Sequence, residues 1–199
     1  MAPTIGLELG DDPYVVFEHW FADACAEEAQ PEAVAFASAS RIGVPSVRMM
    51  LFKGLADGRF RFFTNYGSRK ARELDSNPCA ALLFFWQSLA RQIRIEGRVL
   101  RMSAAQSSAY FSERDRDSQL GARASKQSKP IESRAALLGC VETMRMQYEG
   151  HDVLCPAYWG GYELLPQSFE FWQGRPGRLH DRVEFTKKLG GWRTQLLAP

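Results

Sequence analysis

A change of hydrophobic period at Ala33 limits the fold more than any other feature of this sequence. Before it, Asp12-Pro13 carries the signature of a helix start, an N-cap acceptor followed by proline at the first helical position. Val16, Phe17, Trp20, Phe21 and Ala24 then recur at helical spacing. After it, Ala33–Ala39, Pro45–Lys53, Arg59–Asn65, Cys79–Gln87 and Arg91–Met102 read as strands, rich in aromatic and β-branched residues. Gly43-Val44-Pro45 and Asp57-Gly58 supply turns between the first three. A short helix over Ser68–Ser76 is stopped by Asn77-Pro78, and two more are expected at Ala104–Ser112 and, after Pro130, Ile131–Glu149. Tyr158–Leu165, Phe169–Gly174, Leu179–Lys188 and Trp192–Leu197 return to strand character. Few connections are long enough for βαβ crossovers. The expected class is mainly β with peripheral helices (α+β), an antiparallel barrel or sandwich, not a doubly wound sheet.

Length and composition set the outer bounds. A chain of 199 residues fits one large domain, and residues 13–199 are expected to form it, behind a polar, glycine-containing flexible arm over 1–12. Apolar residues at 45% and charged residues at 24% are ordinary for a soluble globular protein. The longest apolar run, Cys79 to Trp86, is eight residues, against the roughly 20 needed to cross a bilayer. The N-terminus has neither the basic start nor the apolar core of a secretion signal. No membrane partner and a cytoplasmic location are therefore expected. A net charge of +2 gives no field that argues for nucleic acid. The four cysteines form no Cys-x-x-Cys pair, which removes the zinc-module and disulfide-scaffold classes and leaves no metal site. The absence of a Gly-x-Ser-x-Gly elbow, with only three histidines, disfavours a serine hydrolase.

Three local rules are broken. Ser68 is a good N-cap, yet Arg69 and Lys70 occupy the first turn, where cations oppose the helix dipole. The bland explanation pairs Arg69 with Glu73 at i,i+4 on a solvated turn. The sharper one brings the Ser68 hydroxyl, free backbone N–H groups and both cations onto an anion such as phosphate. In Arg178-Leu179-His180-Asp181-Arg182, strand geometry would put Arg178, His180 and Arg182 on one face, about 6.6 Å apart. Only water or an anion relieves such a row. In Ser46–Lys53, alternation puts Arg48 and Lys53 on opposite faces at the two ends of an apolar run, so a regular strand would aim them at two different anions. Together these features imply at least two anion sites on a small strand-rich domain.

With those residues in view, the chain resembles the pyridoxine/pyridoxamine 5′-phosphate oxidases over nearly its whole length. The resemblance rests on Arg48-Met49-Met50-Leu51-Phe52-Lys53, Phe62-Phe63-Thr64-Asn65, Gly67-Ser68-Arg69-Lys70, Arg91-Gln92, Ser125-Lys126-Gln127-Ser128, Trp159-Gly160-Gly161, Glu170-Phe171-Trp172-Gln173-Gly174 and Arg178 to Arg182. It implies an FMN-binding antiparallel split β-barrel and a homodimer with its active sites at the subunit interface. By that resemblance Arg48, Met49, Met50, Leu51, Phe63, Thr64, Arg69, Lys70, Gln92, Gln127, Ser128, Trp172 and Arg182 would contact FMN. Lys53, Tyr110, Arg114 and Ser118 would hold the substrate phosphate, with Arg178 and His180 over the pyridine ring as the catalytic pair.

The activity so implied is oxidation of pyridoxine or pyridoxamine 5′-phosphate to pyridoxal 5′-phosphate, with dioxygen as acceptor and hydrogen peroxide as product. Two departures from the family pattern stand out. The segment before the first helix is short and acidic, and Ser112-Glu113-Arg114-Asp115 replaces the usual His-Ser-Arg-Pro, placing negative charge beside the phosphate residues. A related flavin oxidase acting on a phenazine precursor would have no use for Lys53, Tyr110, Arg114 and Ser118. A non-catalytic flavin-binding protein would have none for Arg178 and His180.

Overall fold

The computed structural model describes residues 12–199. The arm expected over residues 1–12 lies, except for Asp12, outside the described residues. Helix α1 (Pro13–Glu27) starts as its sequence demands, with Asp12 accepting the Tyr14 N–H at 2.9 Å. Strands β1 (Ala33–Ala39), β2 (Pro45–Leu51), β3 (Leu55–Ala56) and β4 (Arg59–Asn65) follow, then helix α2 (Arg69–Ser76). Next come β5 (Cys79–Trp86), β6 (Arg91–Arg101) and three helices, α3 (Ala104–Glu113), α4 (Arg116–Ala124) and α5 (Arg134–Gln147). The chain closes with β7 (Trp159–Gln173), β8 (Asp181–Lys188) and β9 (Gly191–Leu196).

The nine strands form one antiparallel sheet in the order β2-β1-β5-β6-β7-β4-β3, with β8 and β9 added beyond the second half of β7. The edge strands β2 and β3 do not pair, so the barrel is split. Its wall is filled by aromatics: Phe17 of α1 meets Phe60 at 4.7 Å, Phe84 at 5.4 Å and Phe52 at 5.5 Å between ring centroids. Phe17, Phe36, Phe60 and Phe84 are essentially sealed from solvent, each burial contributing about 1.5–3 kcal/mol. No helix among the described residues is long and apolar enough to cross a membrane.

Several expected boundaries shift, each for a physical reason. The two strands expected at Tyr158–Leu165 and Phe169–Gly174 are one strand of 15 residues, β7, because β6 pairs along both halves. A bulge between Glu96 and Gly97 leaves Gln167 as the extra residue, with Pro166 opposite Gly97, where a Cβ would overlap the Leu165 carbonyl oxygen. The expected strand Leu179–Lys188 begins only at Asp181. Pro176–Arg178 is a 3₁₀ turn with positive φ at Gly177 (69°) and Arg178 (62°), which no extended strand tolerates. Arg178 and His180 therefore do not alternate on a strand with Arg182. Strand β2 ends at Leu51, so Lys53 sits in the following connection, free of the alternation expected for it. Helix α5 starts on the Ser133 cap instead of after Pro130, and α4, with its Asp115 cap, was not anticipated.

Candidate active site

Strand β7 runs past both groups of residues expected from the sequence. At its first end, Trp159 pairs with Asn65 of β4 and lines a cavity of about 650 Å³. The cavity gathers Met49, Met50 and Leu51 from β2, Lys53, Phe63 and Thr64 from β4, Lys70 from α2, Tyr110 from α3, Arg114, Ser118 of α4, and Gln127. Eleven of the residues expected from sequence thus share one wall.

Three of them form a relay of hydrogen bonds. The Lys70 ammonium donates to Thr64 Oγ1 at 2.9 Å, and the Thr64 hydroxyl donates to Gln127 Oε1 at 2.9 Å. Lys70 is 7% exposed, and burial, aided by the nearby Arg48 charge, lowers its pKa to about 8. Arg114 is half-buried; its Nη1 is sealed and has no hydrogen-bond partner. Burial also lowers the Arg114 pKa. Among the described residues, no carboxylate comes within ion-pair distance of Lys53, Lys70 or Arg114, whereas Arg48, Arg69, Arg175 and Arg182 all have one. Lys70 is buried, Arg114 is half-buried with an orphaned N–H, and Lys53 is exposed at the rim; cations so placed without a carboxylate at hand suit an anionic ligand. The apolar remainder (Phe63, Tyr110, Trp159, Met49) suits a flat ring.

Arg48 and Arg69 stand behind this wall. Glu73, buried on α2, accepts Ser38 and Ser46 hydroxyls at 2.6 Å each, and takes Arg69 Nε at 2.8 Å and Arg48 Nη2 at 3.4 Å. Burial alone would raise the Glu73 pKa; the hydrogen bonds from Ser38, Ser46 and Arg69 and the Arg48 charge hold it down to about 2. The i,i+4 pairing proposed for Arg69 is thus present, and only Lys70 of the two first-turn cations reaches the cavity. Sequence reasoning gave Glu73 no role beyond that pairing; its spacing four residues after Arg69 was the available signal. Glu113 and Asp115 do line the cavity. Asp115 caps α4, accepting the Ser118 N–H at 2.8 Å, which lowers its own pKa.

The remaining expected residues lie elsewhere. Gln92 pairs with Trp172 across β6 and β7, near the far end of the same strand. Trp172 packs on His180 at 4.6 Å between ring centroids, and Arg182 Nε donates to Glu170 at 2.8 Å. His180 Nδ1 accepts the Arg175 N–H at 3.1 Å, and Arg175 Nε donates to Asp181 at 2.6 Å. Arg178 is exposed on its left-handed turn. Ser128 is exposed with φ 65° and does not line the cavity. From Trp159 to Trp172 the strand runs roughly 40 Å of extended backbone. The first group lines the cavity and the second does not.

Comparison with known proteins identifies the family of the chain. Residues 21–148 match the family described as Pyridoxamine 5′-phosphate oxidase, and residues 159–199 match the Pyridoxine 5′-phosphate oxidase C-terminal dimerisation region. The chain belongs to the pyridoxamine 5′-phosphate oxidase family. It is 46% identical over 191 residues to the pyridoxine/pyridoxamine 5′-phosphate oxidase of Pseudomonas putida, covering 94% of this chain and 89% of that one. Among solved structures it is similar to PhzG from Burkholderia lata in complex with tetrahydrophenazine-1-carboxylic acid, with TM-score 0.89, 29% identity and coverage of 94% and 93% of the two chains. It also shares its fold with a pyridoxamine 5′-phosphate oxidase-related, FMN-binding protein from Nostoc punctiforme, with TM-score 0.77, 16% identity and coverage of 96% and 100%. The family's dimerisation region begins at Trp159, so it comprises the whole of β7, β8 and β9.

Proposed function

We propose that the chain oxidises pyridoxine 5′-phosphate and pyridoxamine 5′-phosphate to pyridoxal 5′-phosphate, using FMN and dioxygen, as a cytoplasmic homodimer whose active sites are shared between subunits. The observation that carries this reading is the cavity's set of three cations, Lys53, Lys70 and Arg114, none held by a carboxylate among the described residues. Two phosphates, one on the cofactor and one on the substrate, would satisfy them. Residues 13–199 are read as one working unit because a single sheet links every part of the site.

Lys70, Thr64 and Gln127 would hold the FMN phosphate and its polar surroundings, with Phe63 and the β2 backbone against the ring. Arg48 and Arg69 support this wall through Glu73. Lys53, Tyr110, Arg114 and Ser118 would take the substrate phosphate, fixing the reacting carbon in place. Arg178 and His180, supplied by a second copy together with Gln92, Trp172 and Arg182, would cover the substrate ring and exclude water. FMN held there would supply the two-electron redox chemistry, with dioxygen reduced to hydrogen peroxide and, for the amine substrate, water consumed and ammonia released. The protein contributes position and charge complementarity. A second copy would also cover the apolar outer face of β2 and β5, where Val47 (70%), Met49 (65%) and Phe85 (55%) are exposed. The four cysteines are unpaired, which suits a reducing cytoplasm. Oxidation of a phenazine precursor, suggested by the PhzG likeness, would leave the second phosphate subsite without a purpose.

The test is a visible spectrum of the purified protein followed by anaerobic addition of vitamer. A flavin band that bleaches with pyridoxine 5′-phosphate, and not with equimolar unphosphorylated pyridoxine, is expected. An unchanged flavin band with the phosphorylated vitamer would sink the proposal.

A further inference from the structure

Trp159 of the motif Trp159-Gly160-Gly161 has figured so far only as apolar lining of the cavity, yet its contacts do more than line it. Trp159, buried at 7% exposure, presents its ring face to the Arg114 guanidinium, whose Cζ is 4.8 Å from the ring centroid. Phe111 offers a second face at 5.6 Å and meets Trp159 edge-on at 5.0 Å. On its other flank, Trp159 lies parallel to Phe63 (5.5 Å, 11°) and Tyr110 (6.3 Å, 2°), which stack on each other at 3.8 Å. The glycines make this packing possible. A Cβ at Gly161 would overlap Met102 Sδ and come within 2.8 Å of Phe63, and one at Gly160 would overlap the Tyr66 hydroxyl.

We propose that Trp159 is the positioning residue of the substrate-phosphate subsite, holding Arg114 and Tyr110 in place for an anion. The inference rests on the vitamer-phosphate reading of that subsite. Its physical basis is the kind of support Arg114 receives. A carboxylate would fix a guanidinium and also neutralise it, competing with the ligand. An aromatic face fixes it by cation–π attraction and leaves the charge and the edge N–H donors for the incoming phosphate. Arg114 Nη1 has no hydrogen-bond partner among the described residues, consistent with support from ring faces and not from a carboxylate.

The experiment compares Trp159→Leu and Trp159→Phe with the native FMN-loaded protein. It reads flavin content, kcat and KM for pyridoxine 5′-phosphate and for pyridoxine, and the dissociation constants of pyridoxal 5′-phosphate and inorganic phosphate by calorimetry. Trp159→Leu should raise KM for the phosphorylated vitamer and weaken both phosphate ligands about tenfold, with kcat within about threefold. The phosphorylated-to-unphosphorylated ratio of specificity constants should fall by the same factor. Trp159→Phe keeps a ring face and should stay within about threefold of native throughout. Equal losses on both vitamers, or loss of flavin in step with loss of phosphate binding, would overturn the inference, since they mark general damage to the fold. If the leucine variant does not fold, a phenylalanine variant that folds but binds phosphate tenfold worse overturns it as well. Inorganic phosphate is bound or not whatever the enzyme oxidises, so a native protein inert toward vitamers would defeat the proposed function while the calorimetry still decides on Trp159.

Discussion

The two ends of β7 solve the same problem in opposite ways. Near Trp172, two arginines are matched: Arg182 rests on Glu170 at 2.8 Å and Arg175 on Asp181 at 2.6 Å. In the cavity beside Trp159, two cations are left without a carboxylate among the described residues: Arg114 lies on ring faces, and Lys70 donates to a hydroxyl. Carboxylate pairing gives rigidity at the cost of net charge. Aromatic and hydroxyl support gives less rigidity and keeps the charge available. On the proposed function, the matched end would be carried to a partner and the unmatched end would receive a doubly charged ligand.

The largest effect should come from breaking the two ends in separate copies. Lys70→Ala and Arg178→Ala homodimers are each expected to lose on the order of 10²-fold in kcat/KM, about 2.7 kcal/mol. Mixed dimers prepared by co-expression with two affinity tags should regain one intact site, and so recover most of the activity per remaining site. Mixed dimers as inactive as their parents would place both ends in the same subunit and remove the comparison.

A smaller effect tests the unmatched charge of Lys70. Its pKa of about 8 in the free protein should rise when a phosphate arrives, so FMN affinity should be constant below pH 8 and decline as pH rises above it. Flavin fluorescence titrations between pH 7 and 9.5 would show the decline, on the order of several-fold. The Lys70→Ala variant should bind FMN more weakly with a flat profile. A native profile that is also flat would mean Lys70 does not face the phosphate.

The smallest effect concerns the matched Glu73. Its pKa of about 2 lies below the ordinary carboxylate value of 4.5, so its stabilising contribution is present above pH 4.5 and fades as pH falls toward 2. Thermal melts of native protein and Glu73→Gln between pH 7 and 3 should converge on the acid side, with the variant less stable near neutrality. Parallel melting curves would show that the Arg48 and Arg69 contacts do not depend on the carboxylate's charge.

Local chemistry made much of this readable from the chain alone. Asp12-Pro13 and Ser68 cap helices as expected, and Ala33–Ala39 and Arg59–Asn65 are strands with the bounds their alternation gave. What escaped was set by tertiary contact. Pro166 looks like a strand breaker, but a bulge opposite Gly97 lets β7 continue past it. The left-handed pair at Gly177 and Arg178 turns an apparent strand into a 3₁₀ turn, since no rule of alternation registers positive φ at arginine. Helix α4 lacks a clear apolar period, burying only Gln119 and Leu120. Trp159 and Glu73 act through groups distant in sequence, Arg114 and Ser38 among them, and no spacing rule links those positions.

The Arg175 N–H contact to His180 decides where a hydrogen sits. A ring nitrogen that accepts a hydrogen bond uses its lone pair, so neutral His180 carries its hydrogen on Nε2. The open edge of the imidazole is then a donor and has no vacant lone pair to offer. Abstraction of a proton there would require the opposite tautomer, at the expense of the backbone contact that orients the ring. The tight turn between Gly177 and Asp181 thus dictates the polarity of the imidazole as well as its place, and it presents a hydrogen to whatever oxygen or nitrogen lies beneath.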